Sequence, residues 1–83
     1  MLLTNKRLAK FLNNPIGTRL SEIEYILFSY GFIKINAKGS HFKFKHSNLK
    51  QDLIIPAHGG DCKPFYKTLT AKILKELINH KNG

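Results

Sequence analysis

The feature that most constrains the fold is the octapeptide KGSHFKFK, in which a glycine turn leads directly into a strand of alternating aromatic and lysine side chains. Because side chains of a β-strand point alternately to its two faces, Phe42 and Phe44 share one face. His41, Lys43 and Lys45 share the other. An aromatic face is typical of a side that packs on a core, and a basic face of an open side. The pattern therefore predicts a sheet that is covered on one face only.

Two helices are predicted before the sheet. Ser21 and Glu24 form a capping box, and Gly31 is placed to end the helix in a left-handed conformation. The predicted sheet-facing stripe of this helix is Ile23, Ile26, Leu27 and Tyr30. Upstream, the apolar spacing in residues 4–12 predicts a shorter helix that ends before Pro15. Its apolar face is Leu8, Phe11 and Leu12.

Three strands and a final helix are predicted downstream. The strands are residues 32–36, residues 40–46 and residues 51–56, and residues 57–61 are predicted to be a loop. The first strand would point Ile33 and Ile35 inward, and a hairpin loop of three to four residues would place Gly39 at positive φ. The last helix would have Pro64 in its first turn. Its expected apolar face is Tyr66, Leu69, Ile73 and Leu77, flanked by Leu74 and Ile78.

This order predicts a two-layer α+β domain, in which helices cover one face of a three-stranded antiparallel sheet. A short N-terminal helix is added in front. The open sheet face would carry Lys34, Asn36, His41, Lys43 and Lys45. A length of 83 residues favours a single domain over residues 1–83, with residues 1–14 as an N-terminal helical extension of a core at residues 21–83.

The charge favours an anionic partner: 14 Lys and Arg against five Asp and Glu give a formal net charge of +9. Nucleic acid, an anionic membrane surface and an acidic protein all fit. Only Arg7 and Arg19 are arginines, and a lysine-rich surface favours contact with a nucleic-acid backbone over reading of bases.

The lone Cys62 allows no intrachain disulfide, and no apolar run suits a signal peptide or membrane span, so we expect a cytoplasmic protein without membrane contact.

His41 is the main candidate for chemistry, because histidine transfers protons near neutral pH and the lysines beside it suit a polyanion. A proton-transfer group beside positive charge suggests RNA cleavage. This reaction needs a base that takes the 2′-OH proton and an acid that protonates the leaving 5′-oxygen. His41 can fill one of these roles, and the other would fall to His58, water or a lysine. Lys38, Lys43 and Lys45 would hold phosphates, while Gly39 and Ser40 would shape the turn. The carboxylates are scattered, which disfavours a metal-dependent nuclease, and no metal or other cofactor is expected.

Several segments together resemble HicA-type mRNA interferase toxins of type II toxin–antitoxin systems. These are Gly31-Phe32, Lys38-Gly39-Ser40-His41, Ile54-Ile55-Pro56-Ala57-His58-Gly59 and Ile73-Leu74-Lys75. The resemblance implies a double-stranded-RNA-binding-domain-like fold, cleavage of mRNA by His41, and silencing by a HicB-type antitoxin. Lys67-Thr68-Leu69-Thr70 keeps only part of the family's helix start. The alternatives are a non-catalytic RNA-binding module of the double-stranded-RNA-binding type, and a basic face that only docks an acidic protein.

The N-terminal helix needs its own explanation, since it lies outside the minimal family pattern. Tyr25 and Phe28 project away from the sheet-facing stripe of their helix, where polar residues are usual. We expect the first helix to pack across this side and shield both aromatics. The alternative is that they stay open as part of the antitoxin-binding surface.

Overall fold

The computed structural model describes the backbone of residues 2–82 and the side chains of residues 6–79. It contains three helices, α1 (Leu2–Asn13), α2 (Leu20–Ser29) and α3 (Pro64–Asn82). The strands are β1 (Ile33–Asn36), β2 (His41–Lys45), β3 (Leu53–His58) and β4 (Asp61–Cys62), and they form one antiparallel sheet in the order β1-β2-β3-β4. The predicted α+β class is confirmed.

The sheet has four strands rather than the predicted three. The segment predicted as a loop at residues 57–61 instead extends β3 to His58 and begins β4 at Asp61. Gly59 and Gly60 form the two-residue turn between them with φ of +59° and +80°. Positive φ at both central positions is the geometry of a tight hairpin, which glycine adopts without steric cost.

The core lies between the helices and one sheet face. Phe44, Leu53 and Ile55 are buried on the inner face of the sheet, and α2 contributes the buried side chains Leu20, Ile23, Ile26 and Leu27. The predicted stripe of α2 is confirmed, with Tyr30 half-buried beside it. Gly31 has φ +92°, and the N–H groups of Gly31 and Phe32 bond to the carbonyls of Phe28 and Leu27, as expected for a glycine-terminated helix.

The predicted orientation of β1 is wrong by one residue. Lys34 pairs with Phe44 and Asn36 pairs with Phe42, so Lys34 and Asn36 lie on the inner face of the sheet. Ile33 and Ile35 lie on the open face instead and are 64% and 42% exposed. An inward lysine is tolerated at this edge strand because its Nζ lies 3.0 Å from a Glu24 carboxylate oxygen and 4.0 Å from the centre of the Phe42 ring.

The expected capping box at Ser21 and Glu24 is also wrong. Helix α2 begins at Leu20, so Ser21 lies inside it, and Arg19 at the N-cap makes no side-chain capping bond. The carboxylate of Asp61 accepts the Leu20 N–H at 3.0 Å instead. A residue from the far strand β4 therefore caps this helix, and Glu24 is left to pair with Lys34.

Helix α1 packs on the core through its expected apolar face, and it leaves both aromatics of α2 about half exposed instead of shielding them. Leu8 and Phe11 are buried, and Leu12 packs against the same cluster. Tyr25 and Phe28 remain 52% and 48% exposed, which corrects the prediction. The guanidinium of Arg7 lies 4.1 Å from the centre of the Tyr25 ring and covers part of it.

Helix α3 begins at Pro64 as predicted, and its buried stripe is centred on other residues than expected. The most deeply buried positions are Lys67, Thr70, Ala71 and Leu74. The residues of the predicted apolar face flank this stripe and are half-buried. Thr70 is tolerated there because its hydroxyl donates to the Tyr66 carbonyl at 2.7 Å.

Candidate functional site

The strand register brings His41 and His58 to the same face of the sheet. His41 pairs with Pro56 across β2 and β3, and His58 lies two residues farther along β3. The buried residues Leu53, Ile55 and Ala57 alternate with Ile54, Pro56 and His58, which therefore point to the open face. Residues in this diagonal relation on adjacent strands have Cα atoms about 7–8 Å apart.

Both histidine side chains are exposed to solvent. Among the described residues, neither ring makes a hydrogen bond or an ion pair with another part of the chain. Their nitrogens are therefore available to a molecule bound on the open face.

His46 provides a contrast, since both nitrogens of its ring are used within the fold. Nδ1 accepts the Asn48 N–H at 3.0 Å, so Nε2 carries the proton and donates to the Tyr30 carbonyl at 2.9 Å. The ring also lies 4.8 Å from the Phe32 ring, measured between centroids. His46 is therefore a structural histidine.

The turn before His41 holds the backbone at the start of β2. Gly39 has φ +60°, as predicted, and the His41 N–H donates to the Lys38 carbonyl at 3.1 Å. The Ser40 carbonyl accepts the Ala57 N–H at 2.9 Å, which ties this turn to β3 just before His58. Two strands thus hold the backbone next to both histidines, while the side chains of Lys38 and Ser40 remain exposed.

Lys43 and Lys45 continue along the open face from His41, and one carboxylate partly neutralises both. The Asp52 Oδ2 lies 4.0 Å from the Lys43 Nζ and 3.4 Å from the Lys45 Nζ. Surface ion pairs of this kind stabilise by only about 0–1 kcal/mol, so a phosphate can replace the carboxylate at little cost.

The open face is also more apolar than the sequence predicted. Ile33 and Ile35 from β1 and Ile54 from β3 lie exposed on either side of the lysine row. Lys34 and Asn36, which were expected on this face, are on the other. The surface next to His41 is therefore a row of lysines bordered by aliphatic side chains.

An ion pair between a buried lysine and a partly exposed aspartate lies at the hairpin that carries His58. The Lys67 side chain is 8% exposed, and its Nζ lies 3.2 Å and 3.3 Å from the two Asp61 carboxylate oxygens and 3.3 Å from the Ile16 carbonyl. The Cys62 N–H donates to the Asp61 carboxylate at 2.9 Å. This bond, together with those from Lys67 and Leu20, lowers the pKa of Asp61 below its usual value although burial opposes the shift.

No cluster of three or more His, Cys, Asp or Glu side chains able to hold a metal ion occurs among the described side chains of residues 6–79.

Burial raises the pKa of the Cys62 thiol, with a smaller opposing effect from the Lys67 charge. The thiol is consequently protonated near neutral pH and is a poor nucleophile.

Comparison with known proteins adds one finding. The sequence model described as "HicA toxin of bacterial toxin-antitoxin" matches residues 20–77, which is well over half of the chain. The chain belongs to the HicA toxin family. Neither the search of curated proteins nor the search of solved structures returned a match.

Membership in the HicA family identifies a toxin of a toxin–antitoxin system, and such a toxin has a cognate antitoxin as its partner. The matched segment runs from the start of α2 into α3 and includes both open-face histidines. Helix α1 and the linker before α2 lie outside it. None of the helices in the described part of the chain has the length and apolar character needed to cross a membrane.

Proposed function

We propose that this toxin is an endoribonuclease that cleaves mRNA in the cytoplasm by histidine acid–base catalysis, without a metal ion, and that a HicB-type antitoxin neutralises it. The supporting observation is that His41 and His58 lie on one open sheet face with their rings unengaged. Lysines continue along the same face from His41. Proton-transfer groups beside fixed positive charge suit cleavage of a polyanion.

The proposed reaction is an internal transfer at one phosphodiester. A base removes the proton from the ribose 2′-OH, and the 2′-oxygen forms a bond to phosphorus. The bond from phosphorus to the 5′-oxygen breaks, and an acid gives that oxygen a proton. The products are a 2′,3′-cyclic phosphate and a 5′-hydroxyl. His41 fills one of the two proton-transfer roles, and His58 is the candidate for the other.

Lys38, Lys43 and Lys45 are proposed to bind the phosphates on either side of the cleaved bond, with Gly39 and Ser40 shaping the turn that presents His41. The amino groups of Lys43 and Lys45 lie beside Asp52 in the free protein. They can stabilise the negative charge that builds on the phosphorane once they face the substrate.

Replacing Lys43 and Lys45 together by Ala is expected to weaken binding of unrelated RNA sequences to a similar degree. Each lost phosphate contact should reduce the salt dependence of binding by roughly one ion. Affinities measured at several salt concentrations on a cleavage-defective variant test this. A loss restricted to one sequence context would show that these lysines read bases instead.

The second candidate function is a non-catalytic RNA-binding module, which the exposed lysine row on a sheet face also favours. Such a module needs the positive charges but has no use for two unengaged histidines on the same face. The two functions therefore differ in whether RNA is cut or only bound.

The experiment that tests the proposal is cleavage of a purified mRNA in excess chelator, followed by analysis of the new ends. We expect cleavage to continue and to yield 2′,3′-cyclic phosphate ends, because no step needs a metal ion. Binding without cleavage would support the RNA-binding module. Loss of cleavage in chelator, restored by a divalent cation, would overturn the metal-free mechanism.

A further inference from the structure

The chain has only two arginines, and both line the same cleft. The cleft has a volume of about 520 Å³ and lies between α1, the linker that follows it and the start of α2. Its polar lining includes Arg7, Lys10, Thr18, Arg19, Ser21 and Glu22. The other twelve cationic residues of the chain are lysines. Gathering the two arginines at one place sets this cleft apart from the lysine row of the open sheet face.

Arginine differs from lysine in a way that matters for phosphate. Its planar guanidinium presents several N–H donors in a fixed fork that matches two phosphate oxygens at once. Three cations and one carboxylate leave the cleft with a net charge of about +2. The chemistry of the lining thus fits a phosphate group.

Arg7 is held in position before any ligand binds. Its guanidinium stacks 4.1 Å from the centre of the Tyr25 ring and lies 3.5 Å from a Glu22 carboxylate oxygen. The side chain is nevertheless 49% exposed, so donors remain open to solvent. This arrangement also gives the half-exposed Tyr25 a role, since its ring supports the arginine of α1. A pre-positioned fork loses less conformational entropy on binding than a free side chain.

The cleft is linked to the candidate active site through the β3–β4 hairpin. Arg19 directly precedes Leu20, whose N–H donates to the Asp61 carboxylate. Asp61 in turn pairs with His58 across the hairpin. Two adjacent contacts, the β3–β4 pairing and the Leu20–Asp61 hydrogen bond, therefore join the backbone at His58 to the residue after Arg19.

We propose that this arginine cleft binds a backbone phosphate of the RNA substrate, a few nucleotides from the bond that is cut. This inference rests on the proposed ribonuclease function and adds a contact that the open sheet face does not provide. Residues 1–19 lie outside the family match, so this chain would extend its RNA-binding surface with its own N-terminal helix and linker.

The test uses His41→Ala as background, so that RNA is bound without being cut. The variant Arg7→Gln/Arg19→Gln is compared with Lys72→Gln/Lys75→Gln, which removes the same charge from the exposed side of α3. We expect the arginine pair to lower RNA affinity about tenfold or more and to reduce the slope of log affinity against log salt by about 1.4. The lysine pair should change affinity by less than about threefold.

Three further measurements sharpen the result. Arg7→Lys/Arg19→Lys should recover only part of the affinity, because lysine restores the positive charge but not the guanidinium fork. Glu22→Gln should strengthen binding, since it removes the one carboxylate of the cleft while the Tyr25 ring still supports Arg7. Inorganic phosphate should compete with RNA more weakly than a short oligonucleotide does; equal competition would indicate a site for free phosphate and overturn the assignment to RNA.

The outcomes separate this inference from the proposed function. If wild-type protein cleaves RNA and both glutamine pairs bind equally well or equally poorly, the cleft is not a distinct site and only this inference fails. If the His41→Ala protein binds no RNA and wild type cuts none, the proposed function fails as well. Thermal melting of each variant shows whether a loss of binding follows from unfolding.

Discussion

Replacing His41 by Ala is expected to lower the rate of RNA cleavage by about 10²–10⁴-fold and to abolish growth arrest when the toxin is produced without its antitoxin. The stability of the fold should change by less than about 0.5 kcal/mol, because the side chain is exposed and bonds to no described residue. Cleavage assays and thermal melting of the same preparation measure both effects. Equal cleavage by wild type and variant would remove His41 from the mechanism.

The other histidines of the fold provide the matched controls. His46→Ala should lower the melting temperature without a specific loss of catalysis, since it removes the two hydrogen bonds to Tyr30 and Asn48. His58→Ala should preserve the melting temperature and reduce cleavage if His58 is the second proton-transfer group. The double variant His41→Ala/His58→Ala should then be little worse than His41→Ala alone, because groups that act in one step are not additive.

The orientation of β1 was predictable in principle from the length of one loop. Ala37 lies opposite His41, and its N–H donates to the His41 carbonyl. This pairing leaves the three residues 38–40 as the hairpin loop. A three-residue loop places even-numbered residues of β1 opposite even-numbered residues of β2, so Lys34 shares the face of Phe44. A four-residue loop would have placed Ile33 and Ile35 inward, as was expected. The expected loop length of three to four residues allowed either orientation of β1. The apolar character of Ile33 and Ile35 favoured the inward orientation, which is wrong.

The fourth strand also had a signal in the sequence. Gly59 and Gly60 are a two-residue turn of the kind that joins adjacent antiparallel strands. The hydrophobic alternation of Leu53 and Ile55 continues to Ala57, which is buried. Following this alternation two residues farther would have extended β3 to His58 and assigned this residue to the face of His41.

Other features depend on contacts that local sequence does not encode. Asp61 caps a helix that begins 41 residues earlier, and Lys67 reaches a carbonyl 51 residues away. The sequence around Ser21 offered a plausible local cap, and the tertiary contact displaced it. The helix α2 and its glycine stop were predicted correctly because apolar periodicity and the left-handed C′ residue are local signals.

Replacing Asp61 by Ala is expected to destabilise the fold by about 2–3 kcal/mol, because it leaves the buried Lys67 ammonium with only the Ile16 carbonyl and uncaps α2. For a domain of this size the melting temperature should fall by about 10–20 °C. Asp52→Ala is the matched control: its carboxylate contacts only surface lysines, so the change should stay below about 1 kcal/mol.

The pH dependence of stability gives a second readout of the Asp61 cluster. Hydrogen bonds from Cys62, Lys67 and Leu20 lower the pKa of Asp61 in the folded state below its usual value of 3.8. Its stabilisation is therefore fully present above that value and is lost as the pH falls through the lower folded pKa. The difference in free energy of unfolding between wild type and Asp61→Ala should shrink in that acid range.

Adding Lys67→Met to Asp61→Ala should recover part of the stability, because no buried charge is left unpaired. If Asp61→Ala melts like wild type at neutral pH, the cluster does not hold the hairpin of His58, and the position of that histidine comes from the β3–β4 turn and the pairing of β3 with β2.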